Sequence, residues 1–238
     1  AAAKIYIKGV SVHTGYARHV KGGHIEYKYN GPGATAGWSN YTFTVTVFFS
    51  CTTSGPKDNV YLGIFDAVSG NIIISRQIAT ATSRTVTKTS INPCMTNPPS
   101  ICYQINTYVY TADVPDNPGG YILAVQDALR VDGIVNISGS ASSGITMTAT
   151  MPGTINGTDY HTNSSPTFLF KDTAIVCYQG SFSYQFEAVD TEGDSLSYTF
   201  GNGLNVANPS GSTSTSIPSS RKFPVRRIID GRIKTFFT

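Results

Sequence analysis

Two runs of strict period-two alternation, separated by a five-residue link that ends one run and precedes the next, constrain this chain most. In SFSYQFEAVD (181–190), Phe182, Tyr184, Phe186 and Ala188 fall on one face, with Ser183, Gln185 and Glu187 on the other. In SLSYTF (195–200), Leu196, Tyr198 and Phe200 repeat the pattern. Alternation of this kind predicts strands with one buried face and one wet face. The link, Asp190-Thr191-Glu192-Gly193-Asp194, has room only for a tight turn, and it gathers three carboxylates.

The same pattern recurs upstream. HIEYKYN (24–30) leads into NGPGATAGWSN (30–40), where Gly and Asn supply permissive backbone positions. Tyr41, Phe43, Val45 and Val47 then alternate with Thr42, Thr44 and Thr46. VYLGIFDA (60–67) and NIIISRQI (71–78) flank Val68-Ser69-Gly70, a hairpin signal. RTVTKTSI (84–91), CYQINTYVYTA (102–112), GGYILAVQD (119–127), GIVNIS (133–138) and GITMTATM (144–151) complete the series before Pro152. Short strands at this spacing predict an all-β chain built as an antiparallel β-sandwich. The scarcity of charge, 13%, beside 23 glycines and no helical periodicity points the same way.

Pro152 to Pro166 is rich in Gly, Asn, Thr and Ser and reads as a domain boundary. The expected organisation is an N-terminal extension or extra strand over 1–17, a sandwich over 18–165, and a smaller Ig/cadherin-like β domain over 166–238. TFLF, AIVC, SFSYQFEAV and SLSYTF would build the last, followed by a polar loop and a strand pair around Asp230-Gly231. Trp38, the sole tryptophan, falls in a loop and reads either as a contact residue or as a cover for a core edge.

Charge is unevenly placed. Residues 221–238 hold six of the 17 Lys and Arg and one acid, a net +5, and the rest of the chain carries −2. The bases interleave with Phe223, Val225, Ile228, Ile233 and Phe236, which predicts a strand with a cationic face rather than a nucleic-acid module. No run approaches the roughly eighteen apolar residues of a membrane-spanning helix.

Candidate chemistry is sparse. Asp190, Glu192 and Asp194 are the main candidate metal site, for calcium, which takes carboxylate and carbonyl oxygens from a turn. The bland alternative is a solvated turn whose Asp side chains cap backbone N–H groups. Asp113, Asp116 and Asn117 form a second acidic loop. His13, His19, His24 and His161 are not spaced for zinc, and Glu26 beside His24 reads as an exposed contact on a strand. No nucleophile elbow or triad signature occurs, so the chain reads as non-enzymatic. Four cysteines allow three pairings. Cys94 and Cys102 flank an Asn-Pro-Pro-Ser turn and can close a short loop, which would leave Cys51 for Cys177. Disulfides imply an oxidising, extracellular setting. Asn40, Asn136, Asn156 and Asn163 each begin an Asn-x-Ser/Thr pattern.

Ser164-Ser165-Pro166-x-Phe168, an apolar strand ending in Cys177, and Ala188-x-Asp190-x-x-Gly193-Asp194-Ser195-Leu196-x-Tyr198 together resemble the N-terminal region of large Bacteroidetes surface proteins. Those proteins are associated with gliding motility and carry a type IX secretion sorting domain. The likeness continues through 19–31, 41–51, the INPC…C pair and NPGGYILAVQ (117–126), covering roughly 18–200. It departs at Gln126-Asp127-Ala128-Leu129, where the family has adjacent cysteines. What the resemblance implies is an extracellular, cell-surface protein with an adhesive, gliding-associated role, and neighbouring surface proteins or surface glycans as partners. It also implies O-glycosylation at Thr173 and Ser195, which follow Asp and precede an apolar residue. The second expectation is a filament subunit in which residues 4–12 or 225–237 dock as a strand into another copy's sheet.

Overall fold

The alternation of residues 41–49 becomes a strand whose alternate side chains are buried. The computed structural model describes residues 20–51, 58–88, 101–127, 130–131, 134, 143–169, 187–198 and 204. Among them Val20–Pro32 (β1), Trp38–Ser50 (β2), Asn59–Asp66 (β3), Ile72–Lys88 (β4), Ile101–Pro115 (β5), Tyr121–Asp127 (β6) and Ile145–Met151 (β7) form one antiparallel sheet, ordered β1-β2-β5-β4-β3-β6-β7. No described residue is helical. Tyr41, Phe43, Val45, Val47 and Phe49 of β2 all point into the core, where they meet Leu62 and Ile64 of β3, Tyr108 of β5 and Leu123 and Val125 of β6. Each such side chain contributes about 1.5–3 kcal/mol by leaving water.

The sheet turns its corner within β4. Ile72 to Ala79 pair with β3, while Thr80 to Lys88 pair with β5, and the register shifts between Thr80 and Thr82. An extra residue bends a strand and increases its twist, which lets one strand serve both halves of a curled sheet. The two expected strands NIIISRQI and RTVTKTSI are therefore one. The stretch between them is the bend rather than a break. The curl brings β1 and β7 together without a hydrogen-bonded ladder, so the sheet is nearly a barrel. Tyr27 donates its hydroxyl to the Thr150 carbonyl. A Cβ on Gly23 would collide with the Thr46 carbonyl oxygen and lie 2.5 Å from Met147 Sδ of β7.

Among the described residues, Ser164 and Ser165 cover the outer edge of β1 around Tyr27, and Arg130 and Val131 cover it at Val20. Tyr27 N–H donates to Ser165 Oγ at 2.8 Å, Ser165 N–H donates to the Tyr27 carbonyl, and Tyr29 N–H donates to Ser164 Oγ. An unpaired edge is a template for unwanted pairing, and this strap occupies it. Within the expected boundary stretch 152–166, Thr154–Ile155 (β8) and Thr158–Asp159 (β9) make a hairpin on Asn156 and Gly157, with φ of 51° and 82°.

The C-terminal alternation behaves differently from expectation. Thr167–Phe168 (β10) pairs with Ala188–Val189 (β11), but Ser195 to Tyr198 form no strand. Asp190 Oδ1 accepts the N–H groups of Glu192 and Asp194, which turns the chain without setting up a hairpin ladder. Ala188 N–H instead donates to the Tyr198 hydroxyl, so a side chain takes the place a partner strand would fill. Phe168 stacks edge-on against His24 of β1, and Leu204 bridges Thr146 of β7, so residues beyond the expected boundary rest on the main sheet.

Cysteine pairing also differs from the first expectation. Cys51 bonds Cys102, not Cys177, and so Cys102 is not closed on Cys94. The cause is register: Ser50 of β2 faces Tyr103 of β5, and the next pair outward is Cys51 with Cys102, Cα atoms 5.4 Å apart. Residues 1–17, Cys94, Cys177, Thr173, AIVC, most of GIVNIS and of SFSYQFEAV, and the pair around Asp230-Gly231 lie outside the described residues.

Candidate functional site at the loop end of the sheet

The β1–β2, β3–β4 and β5–β6 connections and the exit from β7 all lie at one end of the sheet. The β1–β2 turn is closed by Gly33 N–H to the Trp38 carbonyl at 2.7 Å and Trp38 N–H to the Thr35 carbonyl at 3.1 Å. Gly37 makes the turn with φ of 76°, a value that favours glycine. Trp38 is thus the first residue of β2, opposite Pro115, and its side chain remains 38% exposed. It is a presented aromatic rather than a free loop residue.

The second acidic loop locks this turn. Asp113 accepts Ala34 N–H at 2.8 Å on one oxygen and Asn40 Nδ2 at 2.6 Å on the other. Asp116 accepts the Ser39 hydroxyl at 2.6 Å, and its N–H donates to the Gly37 carbonyl. Asn117 reaches the third loop, donating to Asp66 Oδ2 at 2.6 Å. Asp66 Oδ1 in turn accepts Val68 N–H and Ser69 N–H and so shapes the β3–β4 turn. Thr154 N–H donates to the Pro118 carbonyl and ties in the β8–β9 hairpin, while the Tyr41 hydroxyl donates to the His161 carbonyl. Val68, 81% exposed, and Ile155, 51% exposed, stand with Trp38 on the resulting surface.

Electrostatically this end is acidic and stays so. Hydrogen bonds from Ser69, chiefly, hold the Asp66 carboxyl below its ordinary range; those from Asn40 and Ala34 do the same for Asp113, and those from His161 for Asp159. Burial pushes the Tyr121 hydroxyl up to about 12, helped by the charges of Asp66 and Asp116. Burial also raises Tyr27 and Tyr41, so all three phenols remain protonated donors or acceptors at neutral pH. His161 Nδ1 sits 2.7 Å from Asp159 Oδ2. Among the described residues no hydroxyl or thiol is hydrogen-bonded to this imidazole, so the pair has the orienting carboxylate of a catalytic dyad without a nucleophile.

The other sequence candidates are placed as follows. Asp190, Glu192 and Asp194 share one exposed turn, with Gly193 at φ 87° and Asp190 Oδ1 acting as the cap of that turn. Among the described residues no group of three His, Cys, Asp or Glu could hold a metal ion. Asp113, Asp116 and Asn117 come together, but each is engaged by the loops it fastens. His24 lies 3.9 Å from Glu26, whose carboxyl is raised by burial and lowered by Phe168 N–H. Ser195 is exposed beside the acidic turn. Asp66, Ile155 and Asp159 escaped the sequence reading, while Asn40 entered it only as the start of an Asn-x-Thr pattern, Val68 only within a hairpin signal and His161 only as a histidine not spaced for zinc. The signals were Asp two residues before Val68-Ser69-Gly70, an Asx-turn pattern, and Asn156-Gly157, a hairpin dipeptide inside a stretch taken as linker.

No family model matches the chain, and no curated protein or solved structure matches it.

Proposed function

We propose that this chain is a non-enzymatic, extracellular β-protein of the cell surface that makes adhesive contacts through the loop end of its sheet. One observation carries the reading: Trp38 is held half-exposed by a network that spans four loops, as an aromatic anchor in a pre-organised contact surface is held. The Cys51–Cys102 disulfide suits an oxidising compartment. We read the curled sheet as a variant of a β-sandwich and the segment from 166 as the start of a smaller Ig/cadherin-like unit resting on it. The gliding-associated surface role and the glycans on Thr173 and Ser195 belong to this reading. Adsorption to bacterial cells and to a glycan array tests it. Trp38→Ala should bind at least about tenfold less while melting within a few degrees of the parent; unchanged binding by Trp38→Ala would remove the loop end from the function.

A second reading, a filament subunit joined by terminal strands, is favoured by the missing ladder between β1 and β7, which the Tyr27 hydroxyl bridges to the Thr150 carbonyl; an incoming strand would displace the Ser164–Ser165 strap from β1. Light scattering across a concentration series tests the strand-exchange version. A chain that stays monomeric at every concentration, with and without residues 1–17, leaves strand exchange without support.

A further inference from the structure

The loop end has a second property that its anchoring role does not need. Residues 32–38, 66–71, 113–120 and 152–161 contain four carboxylates, Asp66, Asp113, Asp116 and Asp159, and no lysine or arginine. Around them stand the exposed apolar side chains of Trp38, Val68 and Ile155. Its partner must therefore offer apolar groups and positive charge together. Residues 221–238 have that composition: a net +5, with bases interleaved among Phe223, Val225, Ile228, Ile233 and Phe236.

The position of Leu204, the last described residue, bears on which copy supplies this segment. β7 runs toward the loop end, because Met151 pairs with Tyr121 and Tyr121 with Asp66. Leu204 bridges Thr146, near the start of β7, in the antiparallel sense. Leu204 therefore lies at the pole opposite the loop end. Arg130 fixes it there, donating from its guanidinium to the Leu204 carbonyl at 2.8 Å and to the Gly144 carbonyl at 2.7 Å. Leu204 is thus held roughly 20 Å from the acidic surface of its own molecule.

We propose that the loop end of one molecule docks residues 221–238 of a second copy, an apolar and electrostatic head-to-tail contact. It rests on the reading of the loop end as a contact surface and names that surface's partner. A head-to-tail contact is heterologous: it uses two different patches, does not close on itself by a two-fold, and propagates into chains. Opposite charges on the two patches speed encounter and reject the wrong pairing of loop end with loop end.

Full-length protein is followed by light scattering and sedimentation at rising concentration. The mass should grow with concentration in low salt and fall back toward monomer in about 0.5 M salt, where charges are screened within a few ångströms. Charge reversal at either patch, Asp116→Lys with Asp159→Lys or Arg226→Glu with Arg227→Glu, should weaken association about tenfold or more. An equimolar mixture of the two variants should restore it. The tail variant alters no residue of the main sheet, so the test survives if the loop variant folds poorly. Growth that is unaffected by both reversals and by salt overturns the proposal. So does a parent that is monomeric throughout while Arg226→Glu with Arg227→Glu shifts its Trp38 fluorescence, which would mean the segment folds back on its own loop end. If the monomer still adheres through Trp38, the adhesive reading stands and only the head-to-tail contact falls.

Discussion

Asn40 and Asp113 face one another across β2 and β5 and are also joined side chain to side chain, at 2.6 Å. The same carboxylate holds Ala34 N–H, so a single acid couples the strand register to the turn that presents Trp38. Asp113→Ala should leave the sheet intact and free the turn. Amide exchange at Ala34 and Trp38 should accelerate and Trp38 emission should shift, with the melting temperature moving by a few degrees at most. Unchanged exchange at Ala34 would mean that the glycines alone fix the turn.

Gly120 has a φ of 72°, and a Cβ there would lie 2.4 Å from the Met151 carbonyl oxygen. Gly120→Ala combines backbone strain with displacement of a main-chain atom that cannot rotate away. The expected cost is about 1–3 kcal/mol in chemical denaturation, with adhesion lost alongside stability. An alanine variant as stable as the parent would show that the β5–β6 loop relaxes freely.

The Cys51–Cys102 bond spans 51 positions of sequence. Loop-closure entropy puts its contribution at about 4 kcal/mol, so replacing both cysteines by serine should lower the denaturation midpoint sharply. Peptide mapping under non-reducing conditions should recover 51 linked to 102. A fragment linking 102 to 94 would contradict the β2–β5 register.

Glu26 is raised above its ordinary value of 4.5 by burial, partly offset by Phe168 N–H. A carboxyl whose folded pKa is raised binds its proton more tightly in the native state than in the unfolded one. Stability from this group therefore falls as pH rises through the window above 4.5 and is restored on acidification. Glu26→Gln keeps an acceptor for Phe168 and removes the charge, so it should melt slightly higher than the parent at pH 7 and match it below the ordinary Glu value. A lower melting temperature at pH 7 would show that pairing with His24 outweighs desolvation.

Asp190 Oδ1 already caps two N–H groups of its turn. Thermal unfolding in calcium and in chelator should coincide, and Asp194→Ala should be nearly neutral. A calcium-dependent rise in melting temperature, abolished by Asp194→Ala, would show that the turn binds the metal.

Sequence alone determined where the strands are, because period two is a local property: Tyr41 to Phe49 alternate and are buried at the positions the alternation names. It also determined the cap at Asp190, since an Asx turn closes within five residues. Alternation in Ser195–Phe200 named a face that a partner strand would cover, yet no ladder forms at 195–198, because a pattern along one chain does not supply its neighbour. The Cys51–Cys102 pair and the loop end needed the tertiary structure. Residues 33–38, 66–70, 113–120 and 153–161 are distant along the chain and meet only because the antiparallel register and the bend at Thr80–Thr82 bring their ends together. Local spacing fixes which side of a strand a residue faces; what it meets there is set by long-range pairing, which no short stretch encodes.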